Sequence, residues 1–194
     1  EKPYLPELDP RTYGFTDADM DVEFTSNIAG GPQRQTLREL VAALRETYCG
    51  KLGAEYMHIT DTEKRVWLQD RLESVRSRPN YDAGMKKYLL ERLTAAETLE
   101  KYLHTKFVGQ KRFSGEGGES MIPMLDHLLQ RAGAAGVEES VIGMAHRARL
   151  DVLVNTFGKL PSELFAEFEG KYDTSLQAGD VKYHKGFSSD VTTP

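Results

Sequence analysis

The chain has 194 residues, 39% of them hydrophobic, so it is long enough to bury a core and to form one or two domains. Its formal net charge is -5 with both signs interspersed, which argues against a nucleic-acid-binding protein, because such proteins carry a basic stripe or patch. No apolar run reaches the ~20 residues that span a bilayer, and the single cysteine, Cys49, excludes an internal disulfide, so we expect no membrane partner and a reducing compartment.

The first residues are rich in proline, glycine and aspartate and lack periodicity, which predicts an irregular arm or linker over residues 1–35 with at most a short helix. A largely helical unit is predicted over residues 36–106. It opens with a capping-box pattern, Thr36 with Glu39, and its first helix ends near Gly50. Its apolar positions repeat at helical spacing, so we expect them to form a core and not a cofactor site.

Three further helices are predicted in this helical unit. Capping-box patterns over residues 60–63 and 94–97 mark the starts of the second and the fourth helix. A third helix begins at about Asp82, after Pro79 has ended the second. We therefore expect four separate helices before residue 107.

Residues 107–194 follow a different pattern. A glycine-rich loop at 113–120 leads into a helix, and residues 137–143 are then predicted to form a short buried strand. A second helix follows, with apolar side chains along one face over residues 150–157. This order predicts the first part of an α/β domain, a parallel sheet flanked by helices, with ligands beyond the carboxyl ends of its strands. The polar stretch 186–194 has no closing element after it, so we expect the domain to be truncated there.

The most informative motif is Gly143-Met-Ala-His-Arg-Ala-Arg-Leu150, at the predicted junction of strand and helix. His146 and Arg147 fall at the start of that helix, where backbone N–H groups and the helix dipole favour an anion and an arginine adds two-pronged hydrogen bonding. A phosphorylated cofactor or an acidic substrate would fit. The alternative is that Arg147 and Arg149 only form ion pairs and that His146 caps a core.

Two other stretches are weaker candidates. The glycine-rich loop lacks the Lys-Ser/Thr ending of a nucleotide P-loop, so a tight helix entry through Gly117 and Gly118 is favoured. Residues 179–186 place His184 and two lysines around a tyrosine, either as a second ligand contact or as a surface loop. The five histidines show no zinc-ligand spacing, and we expect no metal ligands in this chain.

Short ordered motifs run along nearly the whole chain. They are Leu8-Asp-Pro10, Tyr13-Gly-Phe15, Thr47-Tyr-Cys-Gly50, Gly53-Ala-Glu-Tyr-Met-His-Ile59, Leu93-Thr-Ala-Ala-Glu97, Lys111-Arg-Phe113, Glu116-Gly-Gly-Glu119, Ile122-Pro123, Gly143-Met-Ala-His-Arg147 and Gly179-Asp-Val-Lys-Tyr-His184. In this order they closely resemble the N-terminal part of the 2-oxoglutarate dehydrogenase decarboxylating component, a thiamine diphosphate-dependent family.

The resemblance implies an oxidoreductase of the citric acid cycle. The family decarboxylates 2-oxoglutarate on thiamine diphosphate with Mg²⁺, and passes the succinyl group to the lipoyl domain of dihydrolipoyl succinyltransferase in a multienzyme complex. The resemblance also implies a thiamine diphosphate-binding domain over residues 107–194, a homodimer, and a bacterial cytoplasmic or mitochondrial matrix location. Two alternatives stay open, namely a sister enzyme that prefers 2-oxoadipate and a catalytically inactive helical interaction fragment.

The same resemblance assigns site residues. His146 and His184 match the catalytic histidines that contact the 2-oxo acid, and Arg147 matches the arginine that contacts the cofactor diphosphate. The magnesium ligands and the glutamate that activates the cofactor are expected beyond residue 194, so this chain alone is expected to be inactive.

Three positions depart from the family pattern. Ala148 stands where the family has a glycine, Asp151 where it has an asparagine, and Gly115 where it has a leucine. If residue 148 has a positive φ, alanine is strained there and we expect weaker cofactor binding. Asp151 adds a negative charge close to the expected diphosphate site.

Overall fold

The computed structural model describes residues 4–170 and 185–193. Within these residues the chain is mostly helical and carries one two-stranded antiparallel sheet. In chain order the elements are β1 (Glu23–Thr25), β2 (Arg34–Thr36), α1 (Leu37–Tyr48), α2 (Thr62–Ser74), α3 (Ala83–Lys106), α4 (Met121–Ala134), α5 (Arg149–Asn155) and α6 (Pro161–Phe168). The chain divides into two compact units, Glu1–Tyr81 and Asp82–Pro194.

The first unit opens with short 3-10 helices and a strand pair. The 3-10 helices are Pro6–Leu8, Pro10–Tyr13 and Asp17–Asp19. β1 runs antiparallel to β2 with Glu23 opposite Thr36, in a stretch for which the sequence predicts at most a short helix. α1 then begins with the predicted capping box, because the Glu39 N–H donates to Thr36 Oγ1 at 3.3 Å and the Thr36 N–H donates to Glu39 Oε2 at 2.8 Å.

α2 is confirmed as a helix, but its predicted capping box at residues 60–63 is wrong. Asp61 caps this helix, and its carboxylate accepts hydrogen bonds from the N–H groups of Glu63 at 3.1 Å and Lys64 at 3.2 Å. An aspartate satisfies first-turn N–H groups as well as a threonine does and adds a favourable charge at the positive end of the helix dipole. The competing residue one position later therefore sets the start.

A buried carboxylate ties the first unit together. Glu73, near the end of α2, is 2% exposed and accepts hydrogen bonds from the Tyr48 hydroxyl at 2.9 Å, Gln69 Nε2 at 3.0 Å and the Ala29 N–H at 3.1 Å. Burial, together with the hydrogen bonds to Tyr56 and Glu73, raises the pKa of the Tyr48 hydroxyl. The irregular stretch around residue 29 is thus fastened to two helices of its own unit.

In the second unit, α3 is one helix of 24 residues where the sequence predicts two. The predicted start at Asp82 is confirmed, since its carboxylate accepts from the Met85 N–H at 2.7 Å. The predicted start at residues 94–97 is wrong, because these residues lie inside the helix. Alanines at 95 and 96 favour helix continuation, and after Gly84 the helix contains neither glycine nor proline that would interrupt it.

The core of the second unit lies where α3, α5 and α6 meet. Its main cluster consists of Leu99, Leu103, Leu150, Leu164 and Phe168, and a second cluster consists of Ala96, Ile122 and Val152. The predicted apolar face of α5 is confirmed at Leu150 and Leu153, which are buried. The residues immediately before α5 are therefore anchored to a rigid element.

The predicted strand at 137–143 is not formed. Residues 137–143 are irregular, and Val141 is 97% exposed. A strand exists only where its backbone pairs with another strand, and the only sheet among the described residues lies in the first unit. The predicted parallel sheet is thus absent from the described part of the chain, which is mostly helical.

Candidate functional site

His146 and Arg147 lie in a turn directly before α5, and both side chains are exposed. The residue that follows them, Ala148, is the N-cap of α5 and has a left-handed backbone with φ 58° and ψ 9°. Its N–H donates to the Phe113 carbonyl at 2.8 Å, and the Arg149 N–H donates to the His146 carbonyl at 3.2 Å. Two of the backbone donors at this helix start are therefore already used.

The residues 113–115, here called the anchor segment, run beside residues 146–148. The Phe113 ring lies 4.0 Å from the His146 imidazole between centroids, with the two planes tilted by 49°. Arg147 Nη1 donates to the Ser114 carbonyl at 2.9 Å. Together with the Ala148 N–H bond to Phe113, these contacts hold the His146 and Arg147 side chains and the backbone at Ala148 against the anchor segment.

The glycine-rich loop itself is a tight entry into α4, as predicted. Gly117 has φ 85°, which favours glycine, and the Gly118 N–H donates to the Gly115 carbonyl at 2.8 Å. The Gly117 N–H donates to Glu119 Oε1 at 2.9 Å. This backbone bond lowers the pKa of the Glu119 carboxyl.

A buried ion pair under the anchor segment is absent from the predictions made from the sequence. Glu100 of α3 is 4% exposed; its Oε1 accepts from the Gly115 N–H at 2.9 Å, and its Oε2 pairs with Arg112 Nη1 at 3.2 Å. The sequence did hold a signal for it. The buried residues of α3 are Ala96, Leu99, Glu100 and Leu103, which is the i, i+3, i+4, i+7 spacing of one helix face. A charged residue on a core-facing stripe indicates a specific buried partner.

A second buried acid, Asp151, lies in the first turn of α5 and is 1% exposed. Its Oδ1 accepts from Asn155 Nδ2 at 2.5 Å. Burial raises the pKa of the Asp151 carboxyl to about 6, and the nearby charges of Glu100 and Glu119 add to this rise. Asp151 is therefore protonated more readily than an ordinary aspartate.

His184 lies outside the described residues, but the chain that follows it is described. Residues 185–189 line a cavity of about 460 Å³ together with residues 140–144 and Arg149. Ser189 Oγ donates to the Phe157 carbonyl at 2.6 Å. The segment after His184 thus lies next to the 143–150 motif.

Neither a membrane helix nor a metal cluster is found in the described residues. Across residues 4–170 and 185–193, each helix is too short or too polar to cross a bilayer. In the same residues, His, Cys, Asp and Glu side chains form no group of three or more that could hold a metal ion.

Comparison with known proteins gives no matching protein-family model, whereas curated relatives match the whole length of the chain. The 2-oxoglutarate dehydrogenase E1 component of Cupriavidus necator is 60% identical over 194 residues, which is 100% of this chain and 20% of that protein. The E1 component of Azotobacter vinelandii is 57% identical over 182 residues, 93% of this chain and 19% of that protein. This chain is homologous to the N-terminal part of the 2-oxoglutarate dehydrogenase E1 component.

The chain spans about a fifth of the length of these E1 relatives. A relative in Corynebacterium glutamicum is named 2-oxoglutarate dehydrogenase E1/E2 component, and it is 46% identical over 182 residues, 93% of this chain and 15% of that protein. The resemblance that the motifs indicate is confirmed by these identities. The match to the C. necator E1 component covers every residue of the chain, so it includes the 143–150 motif and the anchor segment.

Proposed function

We propose that this chain is the N-terminal portion of a 2-oxoglutarate dehydrogenase decarboxylating component, and that His146 and Arg147 belong to its active site. The whole protein would decarboxylate 2-oxoglutarate and transfer the succinyl group to the lipoyl domain of a succinyltransferase. The observation that carries the proposal is the exposed His146–Arg147 pair, held by the anchor segment in a chain 60% identical to an E1 component.

The geometry around Arg147 fits the diphosphate of thiamine diphosphate. A guanidinium carries five N–H donors, and the bond to the Ser114 carbonyl uses one of them. The side chain is exposed, so the remaining edge can form the two-pronged contact that arginine makes with phosphate oxygens. When bound, thiamine diphosphate supplies the carbon nucleophile for decarboxylation.

His146 is suited to the substrate. Its imidazole is exposed, and one side of the ring is occupied by Phe113, which limits the orientations that the ring can adopt. A histidine so oriented can donate a hydrogen bond to a carboxylate or to the oxygen of a 2-oxo group, where negative charge develops in the reaction. His184 is proposed as the second such histidine, and the position of residues 185–189 beside the motif supports this.

The remaining parts of the proposal come from the family. Magnesium ligands and the activating glutamate are proposed in residues outside this chain. A homodimer and a lipoyl-domain partner are also proposed, and the E1/E2 name of the Corynebacterium relative agrees with a multienzyme partner. The compartment is proposed to be the bacterial cytoplasm or the mitochondrial matrix.

The test is artificial-acceptor reduction by the complete polypeptide that carries this sequence. 2-Oxoglutarate and 2-oxoadipate are compared, with thiamine diphosphate and Mg²⁺ omitted in turn. Cofactor-dependent turnover that favours 2-oxoglutarate supports the proposal, and preference for 2-oxoadipate would assign the sister enzyme. A folded protein without turnover and without cofactor affinity would contradict the proposal and support the interaction-fragment alternative.

A further inference from the structure

We propose that Glu100 is a positioning residue, which sets the orientation of Arg147 and His146 through the anchor segment. This inference rests on the proposed function, because the groups that it orients are those proposed to bind the cofactor and the substrate. Glu100 itself reaches neither.

Both carboxylate oxygens of Glu100 bind residues at the ends of the 112–115 stretch. One carboxylate oxygen accepts from the Gly115 N–H and the other pairs with Arg112, at 2.9 Å and 3.2 Å. These partners flank Phe113 and Ser114 on both sides in the sequence. A single carboxylate therefore binds the backbone on one side of these two residues and the Arg112 side chain on the other.

Phe113 and Ser114 face the 143–150 motif with their carbonyl groups and with the Phe113 ring. The Phe113 carbonyl accepts from the Ala148 N–H at 2.8 Å, and the Ser114 carbonyl accepts from Arg147 at 2.9 Å. The Phe113 ring contacts His146. Each link from Glu100 to the exposed site residues is thus a direct contact.

Burying the Glu100–Arg112 ion pair costs free energy. Glu100 and Arg112 have side chains that are 5% and 13% exposed, and burying charges is expensive even when they are paired. An apolar side chain at residue 100, like those of Leu99 and Leu103 on the same stripe, would fill the space without that cost. What an apolar residue would not supply is a two-sided acceptor, so the ion pair is best explained by the position that it imposes on the anchor segment.

The experiment compares Glu100→Gln with Glu97→Gln in the complete polypeptide. The first variant keeps the shape but removes the charge that holds Arg112 and that strengthens the hydrogen bond from the Gly115 N–H. The second removes a carboxylate from the exposed face of the same helix, where Glu97 pairs with Lys101 at 2.7 Å. Arg112→Met removes the same buried ion pair from its other end and serves as a second variant if Glu100→Gln does not fold.

Two readouts separate positioning from stability. The dissociation constant for thiamine diphosphate is expected to rise about tenfold or more in Glu100→Gln and in Arg112→Met. Combining these two substitutions should give no greater rise than either alone. In Glu97→Gln the dissociation constant should stay at the wild-type value. Amide hydrogen exchange at Ala148 is expected to accelerate together with that at Gly115. Both effects should appear in protein that remains folded.

The outcomes are distinct. If exchange accelerates at Gly115 but not at Ala148, and the dissociation constant is unchanged, Glu100 only stabilises its helix packing and the inference is overturned. If wild-type protein shows no thiamine diphosphate binding, the proposed function fails. In that case, joint acceleration at Gly115 and Ala148 still supports the mechanical link, and its absence refutes that link as well.

Discussion

Gly115 and Ala148 approach so closely that only one of them has room for a side chain. A Cβ placed on Gly115 would lie 2.8 Å from the Ala148 Cβ and 3.8 Å from Asp151 Oδ2. These three residues are the positions at which the sequence departs from the family pattern that it resembles. The departures therefore meet at one place in the second unit, where the anchor segment lies against the start of α5.

Gly115→Ala is expected to destabilise the chain by about 1–3 kcal/mol, because a separation of 2.8 Å forces backbone or core atoms to move. Urea unfolding of the variant measures this change. Gly143→Ala is the matched control, since a Cβ at Gly143 meets nothing within 4 Å, and it should shift the free energy of unfolding by less than about 0.5 kcal/mol. Equal effects of the two variants would show that the approach to Ala148 is not limiting.

Ala148→Gly tests the same contact from the other side. Glycine removes the strain of alanine at φ 58°, worth about 1 kcal/mol, but it also removes a buried methyl group worth about 0.8 kcal/mol. The single variant should therefore be close to neutral in urea unfolding. Combined with Gly115→Ala, it should recover most of the stability that the first substitution costs, whereas simple additivity of the two changes would contradict a direct clash.

Asp151 predicts a pH dependence of stability. Its pKa is raised to about 6 in the folded chain from the ordinary value of 3.8, so the folded state holds this proton more tightly than the unfolded state does. The free energy of unfolding should therefore fall as pH rises from about 4 to about 6, and this contribution should stay constant above that window. The total contribution is on the order of 2–3 kcal/mol.

Asp151→Asn isolates this contribution. The Asn155 Nδ2 group that donates to Asp151 can donate to the amide oxygen instead, so the local hydrogen bond is kept while the charge is lost. We expect the variant to be more stable than the wild type at pH 7 and to lose the fall between pH 4 and 6. A fall in the wild type that persists unchanged in the variant would show that Asp151 is not its source.

The sequence predicts elements that depend on local chemistry. Thr36 with Glu39, Asp82 and the helix beginning near residue 121 carry caps or apolar stripes whose partners lie within a few residues, and the structure confirms these elements. In each case the deciding interaction is short-range.

Where a prediction from the sequence is wrong or missing, the interaction that decides the structure is long-range, or it competes with the predicted one. Residues 137–143 are predicted to form a strand but have no described partner strand in their unit. The pattern at 94–97 is overridden by the good helix formers around it. Glu100 is hidden because its partners, Arg112 and Gly115, lie 12 and 15 residues away. The predicted boundaries 1–35, 36–106 and 107–194, and the roles of His146, Arg147 and His184, stay predictions.

His146→Ala is expected to lower kcat for 2-oxoglutarate in the complete polypeptide by about 100-fold or more, the scale of removing one donor to a developing negative charge. Because the imidazole is exposed and contacts the anchor segment through one ring face, the fold and the affinity for thiamine diphosphate should change little. Steady-state kinetics and cofactor titration separate the two effects. An equal loss of cofactor affinity would show that His146 contacts the cofactor and not the substrate.

Arg147 should act on the cofactor and not on the substrate. In the complete polypeptide, Arg147→Ala is expected to raise the dissociation constant for thiamine diphosphate about 10- to 100-fold, since charge-assisted hydrogen bonds contribute about 1.5–3 kcal/mol. Arg147→Lys should have a smaller but clear effect, because lysine keeps the charge but lacks the planar fork that can hold the Ser114 carbonyl and a phosphate together. Arg131→Ala, at an exposed position of α4, controls for the loss of one positive charge. If Arg147→Lys binds the cofactor as the wild type does, charge alone is sufficient and the two-pronged geometry proposed for Arg147 is wrong; if Arg147→Ala also does, the diphosphate lies elsewhere.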